Sequence, residues 1–460
     1  MRLQRRDLLT GSAAALAFSG LARNVQAQAA TEETYVNEVP GYGPLVRDPN
    51  RLLDLPEGFT YQVISQSGDT MDDGLFVPGQ PDGMGCFDIG GGRIALIINH
   101  ELKGSSGLHR NLGPGGFHQE RIGLLDPAKG YDTYKDGRAL PGGTTTLIYD
   151  LETRRTISQH LSLAGTSTNC CGGVTPWGSW LTCEETEETP DTADVTRPHG
   201  FVFEVPAAAA GLVEPVPLKA MGRFDHEAVC VDPATGMVYL TEDKNDGLFY
   251  RFIPTTRGRL VDGGRLQAMA FRGQPGADST NHETREWAVG DWREVEWIDL
   301  EDVESPDADL RFRGHAAGAA LVARGEGVVW GDGELWLTAT SGGPLKRGQI
   351  LRHVPSPDGG RIQLFLETTD ERAMNMGDNL TVAPWGHLVV CEDNYSRDIR
   401  NHLRGVTPDG KTYVIGRNVF TGNSEFAGAC FSPDGQVLFV NIMYPGVTFA
   451  IRGPWTSVRT

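Results

Sequence analysis

One pattern, repeated six times, limits what this chain can fold into more than its length does. Each copy is a turn ending in glycine, followed by a strand that finishes on polar or acidic residues. The copies are Gly92–Glu101, Gly178–Glu185, Gly236–Asp243, Gly333–Thr340, Gly386–Asp393 and Gly435–Ile442. Between them, short β-branched and aromatic runs are split by Gly, Pro and Asp turns, the signature of strands. The 59 glycines follow no triplet period, which excludes collagen and, with 27 prolines, suits a chain of tight turns. Six hairpins of one kind predict an all-β fold, a six-bladed β-propeller with helical and loop insertions. Helical periodicity is confined to Leu310–Ala323 and a short stretch, Ala207–Leu212.

Folding each hairpin about its turn brings the start of its first strand beside the end of its second. Asp82 then falls near Glu101, Cys170 near Glu184 and Glu185, and Glu227 near Asp243. Glu326 falls near Thr340, Asp378 near Glu392 and Asp393, and Glu425 near Asn441. Every hairpin thus ends, on the same side, in a carboxylate or a thiol. In a propeller those ends converge on one mouth of the central channel. Carboxylates crowded there repel one another by several kcal/mol, or else take up protons, unless cations join them. Oxygen-rich sites favour hard ions such as Ca²⁺ or Fe³⁺, and a thiolate among them points to a transition metal.

Residues 1–29 read as an export label. Arg5 and Arg6 precede a mildly apolar run from Leu8 to Leu21, and Ala27-Gln28-Ala29 offers a small-residue cleavage site. The expected organisation is a twin-arginine signal peptide over 1–29, an extension over 30–54, and a single propeller domain over 55–460. The twin-arginine export machinery is therefore an expected partner, and the mature protein is expected in the periplasm or secreted, as a monomer. No stretch reaches ~18 apolar residues, so no integral membrane segment is expected. The net charge of −19, from 60 acidic against 41 basic residues, argues against nucleic acid. The seven cysteines form neither a disulfide framework nor a C-x-x-C metal motif.

The chain resembles the PhoX-type secreted alkaline phosphatases from about Leu55 to Trp455. The resemblance is carried by Asn99-His-Glu101, Asn169-Cys-Cys-Gly-Gly, Thr182-Cys-Glu-Glu185 and Gly222-Arg-Phe-Asp-His-Glu227. Arg324-Gly-Glu-Gly327, Asp378-Asn-Leu-Thr381, Cys391-Glu-Asp393 and Ser424-Glu-Phe-Ala-Gly428 complete it, in the same order along the chain. It implies an axial site of Fe³⁺ and Ca²⁺ in which Cys170 ligates iron. It also implies Asn99, Glu101, Glu184, Glu185, Glu227, Glu326, Asp378, Glu392 and Asp393 as metal ligands or their immediate supports. Arg324, Glu227 and Cys170 are the expected catalytic groups, with Arg324 and Asn99 meeting the substrate phosphate, since a guanidinium matches phosphate oxygens in pairs. Cys171 should turn to the opposite face of a regular strand. His100 and His226 flank carboxylate positions and are candidate ligands or proton donors, although a structural histidine is the commoner fate.

The expected activity is metal-assisted hydrolysis of small phosphate monoesters. No Gly-x-Ser-x-Gly elbow and no Walker loop offers another route. Two alternatives remain open at this stage: a calcium-dependent lactonase-like hydrolase, and a non-catalytic periplasmic binding propeller.

Overall fold

The computed structural model describes residues 34–105, 119–396 and 398–460; the expected signal peptide lies outside them. Strands dominate, and all six predicted hairpins form. Most grow into antiparallel meanders of four strands, such as Pro81–Gly90, Arg93–His100, Gly142–Asp150 and Arg155–Thr166. The second, starting at Asn169–Val174, has three strands. The last begins at Phe426–Phe431 and takes its fourth strand, Thr60–Gln66, from the N-terminal part of the chain. That pairing joins the two ends of the fold.

The first strands of the meanders form a closed ring. Pro81–Gly90 packs on Asn169–Val174, which packs on His226–Val231; Gly325–Gly331, Gly377–Val382 and Phe426–Phe431 follow, and the last returns to Pro81–Gly90. This is a propeller-like arrangement about one axis. The ring is narrow: a Cβ on Gly173 would overlap the Val229 carbonyl oxygen, and one on Gly327 would lie 2.8 Å from that of Asp378. Glycine permits this approach of neighbouring backbones. Buried aliphatic and aromatic side chains fill the space between adjacent sheets, for instance Val389, Leu403, Phe426, Leu438 and Phe449.

Three details depart from the sequence expectations. The described strands form five sheets, because Trp292–Asp299 pairs with both Gly264–Phe271 and Arg361–Glu367 and so fuses two meanders. The predicted helix covers only Leu310–Ala316; Gly318, at φ 112°, ends it, and Leu321 then bridges to Asp278. Ala207–Leu212 is turn rather than helix, with the Ala207 amide tied to the Gly178 carbonyl. No helix among the described residues is long and apolar enough to cross a membrane.

Candidate metal centre

Each of the six inner hairpins breaks register near the same end. The first strand carries one residue more than its partner between Pro81 and Met84, Asn169 and Gly172, and His226 and Val229. The same break falls between Gly325 and Val328, Gly377 and Leu380, and Ala427 and Cys430. A bulge of this kind bends the strand and re-aims a side chain. Asp82, Cys170, Glu227, Glu326 and Asp378 are the first residues inside the first five breaks. Repetition of one backbone device thus gathers side chains that lie far apart in sequence.

The result is a chain of overlapping groups whose ligand atoms lie within 4.8 Å of one another. Asp82, Glu101 and Cys170 form the first, and Cys170, Glu185 and Glu227 the second. Glu227, Glu326 and Asp378 form the third, and Asp378, Asp393 and Glu425 the fourth. Cys170, Glu227 and Asp378 are the shared corners. Burial, then mutual repulsion, drives the carboxyl groups of Asp82, Glu185, Glu227, Glu326, Asp378 and Glu425 well above the carboxylate range. For the same reasons Glu101 is pushed up to about 8, and the Cys170 thiol is raised. Groups placed in this way need cations in order to ionise together.

Glu227 tests that fit directly. It is fully buried, yet neither carboxylate oxygen has a hydrogen-bond partner. Buried carboxylates without partners are costly, and a bound cation supplies the missing interaction. The donor set of carboxylate oxygens with one thiol suits hard cations together with a transition metal.

Three predicted ligands do not reach the cluster. Glu184 faces away from Glu185: it accepts hydrogen bonds from His199 (2.6 Å) and from the amides of Ser167, Gly200 and Phe201. Glu392 faces away from Asp393 and is taken up by Arg404 (2.7 Å), His402 and the Asn375 amide. Asn99 is also buried and committed, donating to the carbonyls of Cys170 and Cys171 while accepting from the Trp180 indole (2.8 Å). It braces the bulge that carries Cys170 and is not available to a phosphate. Adjacent acids at a strand end point to opposite sides, so one of each pair serves the channel and the other ties down loops.

Both candidate histidines are structural. His100 bridges the Gly79 carbonyl and Thr145, and burial lowers its pKa to about 4. His226 bonds the Gly222 carbonyl, stacks on Phe224, and is lowered to about 3 by burial. Cys171 enters an apolar cluster with Ala228 and Cys230. Asp82 and Glu425 join the groups although the sequence expectation did not name them as ligands; the hairpin alignment had already put both at the channel mouth.

Arg324 stands at the edge of the cluster. Its guanidinium donates to Asp243 through Nε (2.7 Å) and Nη2 (3.0 Å), and to Glu326 through Nη2 (2.8 Å). The backbone there is left-handed, φ 52°, and is held by the Lys244 carbonyl and the Thr340 amide. Arg324 and most of the acids line one cavity of about 940 Å³. Ser396 and Ser424 also line it, but their hydroxyls accept backbone N–H groups and touch no base.

An all-β, propeller-like fold with a buried ring of acids and one thiol that could hold metal ions defines the class: a propeller-like protein with a candidate axial metal site. Within that class the chain belongs to the alkaline phosphatase PhoX family, which it matches over residues 40–446. Its fold is similar to that of Pseudomonas fluorescens PhoX in complex with vanadate, a transition state analogue. The TM-score is 0.66 at 18% sequence identity, over 91% of this chain and 98% of that one. A periplasmic gluconolactonase from Pseudomonas aeruginosa is more distant, at TM-score 0.36 and 13% identity, over 84% of this chain and 89% of that one. No curated protein sequence matches the chain.

Proposed function

We propose that the chain is an exported phosphoric monoester hydrolase of the alkaline phosphatase type, releasing inorganic phosphate at the axial site. The observation that carries this reading is the position of Arg324. A clamped guanidinium and a ring of cation-holding acids face the same cavity, which gives a tetrahedral anion two kinds of positive partner. Cys170 would hold Fe³⁺, with Ca²⁺ among the carboxylates of Asp82, Glu101, Glu185, Glu227, Glu326, Asp378, Asp393 and Glu425. When bound, such cations neutralise phosphate charge and act as Lewis acids. The chain's own contribution is positioning. Asp243 and Glu326 orient Arg324, Arg324 fixes a phosphate oxygen, and the Asn99 brace keeps Cys170 aimed at the ring. Phosphoryl transfer depends on such positioning and charge stabilisation more than on a covalent side-chain nucleophile.

The six meanders are read as six blades, with the fused sheet counting as two. Residues 1–29 are read as a twin-arginine leader, 30–54 as an extension, and 55–460 as one monomeric catalytic propeller that acts in the periplasm or outside the cell. A calcium lactonase needs one ion and a few carboxylates and leaves Cys170 and half the ring without a role.

Elemental analysis of the purified protein, paired with phosphate release from p-nitrophenyl phosphate, tests the proposal. Iron and calcium together with phosphate release are expected. Calcium alone removes the role given to Cys170. Lactone opening without phosphate release replaces the phosphatase with the lactonase.

A further inference from the structure

Part of the cavity wall is built from two segments, Asn394, Tyr395, Ser396 and Arg400 in one and 421–425 in the other, with Met443 and Tyr444 beside them. It carries two of the most exposed large aromatic side chains of the described residues, Tyr395 at 72% and Tyr444 at 48% exposure. Solvent-facing tyrosines ordinarily carry no message, but this pair lines the same cavity as Arg324. Glu425 lines the same cavity, next to the Ser424 hydroxyl that takes the Tyr444 amide.

Neither ring hangs from a loose loop. The Tyr395 hydroxyl donates to Asp393 at 2.6 Å, and the Tyr444 amide donates to the Ser424 hydroxyl at 3.0 Å. Three asparagines staple the two segments together. Asn401 accepts from the Asn394 amide and donates to the Asn423 carbonyl, while Asn423 donates to the Ile399 carbonyl. That much hydrogen bonding behind an exposed aromatic pair lowers the cost of binding a ligand, because the wall is ordered beforehand.

Resting on the phosphatase reading, we infer that Tyr395 and Tyr444 form a subsite for a flat, π-bearing leaving group. The chain would then favour aryl and nucleoside-like phosphate monoesters over alkyl ones. Arg324 and the metal-holding ring take the phosphate, and the tyrosine faces take the ring attached to it. Aromatic contacts of this kind are worth about three- to tenfold in binding.

The test compares the kcat/KM ratio for phenyl phosphate over glycerol phosphate across variants of the metal-loaded protein. Tyr395→Leu and Tyr444→Leu should each lower that ratio about three- to tenfold, through the KM for phenyl phosphate. Tyr444→Phe should keep it near the unaltered value, because the face and not the hydroxyl makes the contact. In the unaltered protein, benzylphosphonate should bind more tightly than methylphosphonate by the same factor, read by calorimetry without turnover. A ratio unmoved by the leucine variants overturns the subsite alone, as does equal binding of the two phosphonates. Absence of phosphate release from both esters by the unaltered protein overturns the phosphatase reading itself.

Discussion

Arg324 and Asp243 are joined by two parallel hydrogen bonds, Nε to Oδ1 at 2.7 Å and Nη2 to Oδ2 at 3.0 Å. Asp243 thereby fixes the plane of the guanidinium beside the ring of acids. Asp243→Ala should free Arg324 to pair wholly with Glu326, lowering kcat/KM by about ten- to a hundredfold. Arg324→Lys should be no better, because an ammonium cannot span two carboxylate oxygens and still address phosphate. Steady-state kinetics on p-nitrophenyl phosphate, with iron and calcium content measured alongside, check both. Loss of metal in Asp243→Ala would make Asp243 a ligand instead.

Glu227 calls for opposite effects with and without metal. Its two oxygens are buried without partners, and repulsion from Glu326 and Asp378 adds to the burial cost. Glu227→Gln should therefore raise the melting temperature of the chelated protein by a few degrees. In the metal-loaded protein the same change removes a shared corner, so melting temperature, metal content and activity should all fall. Scanning calorimetry of both forms decides. A variant that destabilises both forms alike would mean that Glu227 is only a packing residue.

His199 gives the fold a pH dependence separate from the metal centre. Burial alone would lower its pKa, but Glu184 at 2.6 Å and Asp132 at 3.1 Å outweigh burial and raise it from 6.5 to about 9. Its contribution is then fully present below pH 6.5 and is lost as pH rises through about 9. The size is on the order of 3 kcal/mol, since each tenfold gain in proton affinity on folding contributes about 1.4 kcal/mol. Thermal unfolding of the native protein should lose stability across that window, and His199→Gln should show a flatter profile. Parallel profiles would place the titration elsewhere.

Much of this architecture is legible in the sequence, and the boundary has physical causes. Hairpin ends are local, so pairing residues about a glycine turn brings Asp82 to Glu101, and Asp378 to Asp393, as observed. Bulges are not visible in a hydrophobic pattern, yet they aim Cys170 and Glu227 at the axis. Which member of an acid pair serves the axis is not local either. Glu184 is claimed by His199 and Glu392 by Arg404, partners that lie later in the chain. The closing strand Thr60–Gln66 carries no signal of its partner, because its mate Val447–Arg452 lies almost the whole chain away. The short helix stops at Gly318, where a periodic sequence continues but the backbone turns left-handed.

Glu392 and Asp393 are neighbours in sequence with opposite duties, and mutating each should separate fold from function. Glu392 is buried against Arg404 at 2.7 Å and also accepts from the His402 and Asn375 amides. The attraction of Arg404 overcomes burial and keeps its carboxyl below the usual range. Removing one partner of a buried ion pair strands the other charge, so Glu392→Gln should cost about 3–5 kcal/mol of stability. Metal content per folded molecule should stay near wild type. Asp393 instead accepts from the Tyr395 hydroxyl and meets Asp378 and Glu425 in the fourth group, with its carboxyl raised by burial. Asp393→Asn should keep or raise the stability of the chelated protein while lowering its metal content and phosphate release. Denaturant unfolding set beside elemental analysis gives both readings on the same samples. If Glu392→Gln lost metal while remaining fully folded, Glu392 would return to the ligand set from which its hydrogen bonds remove it.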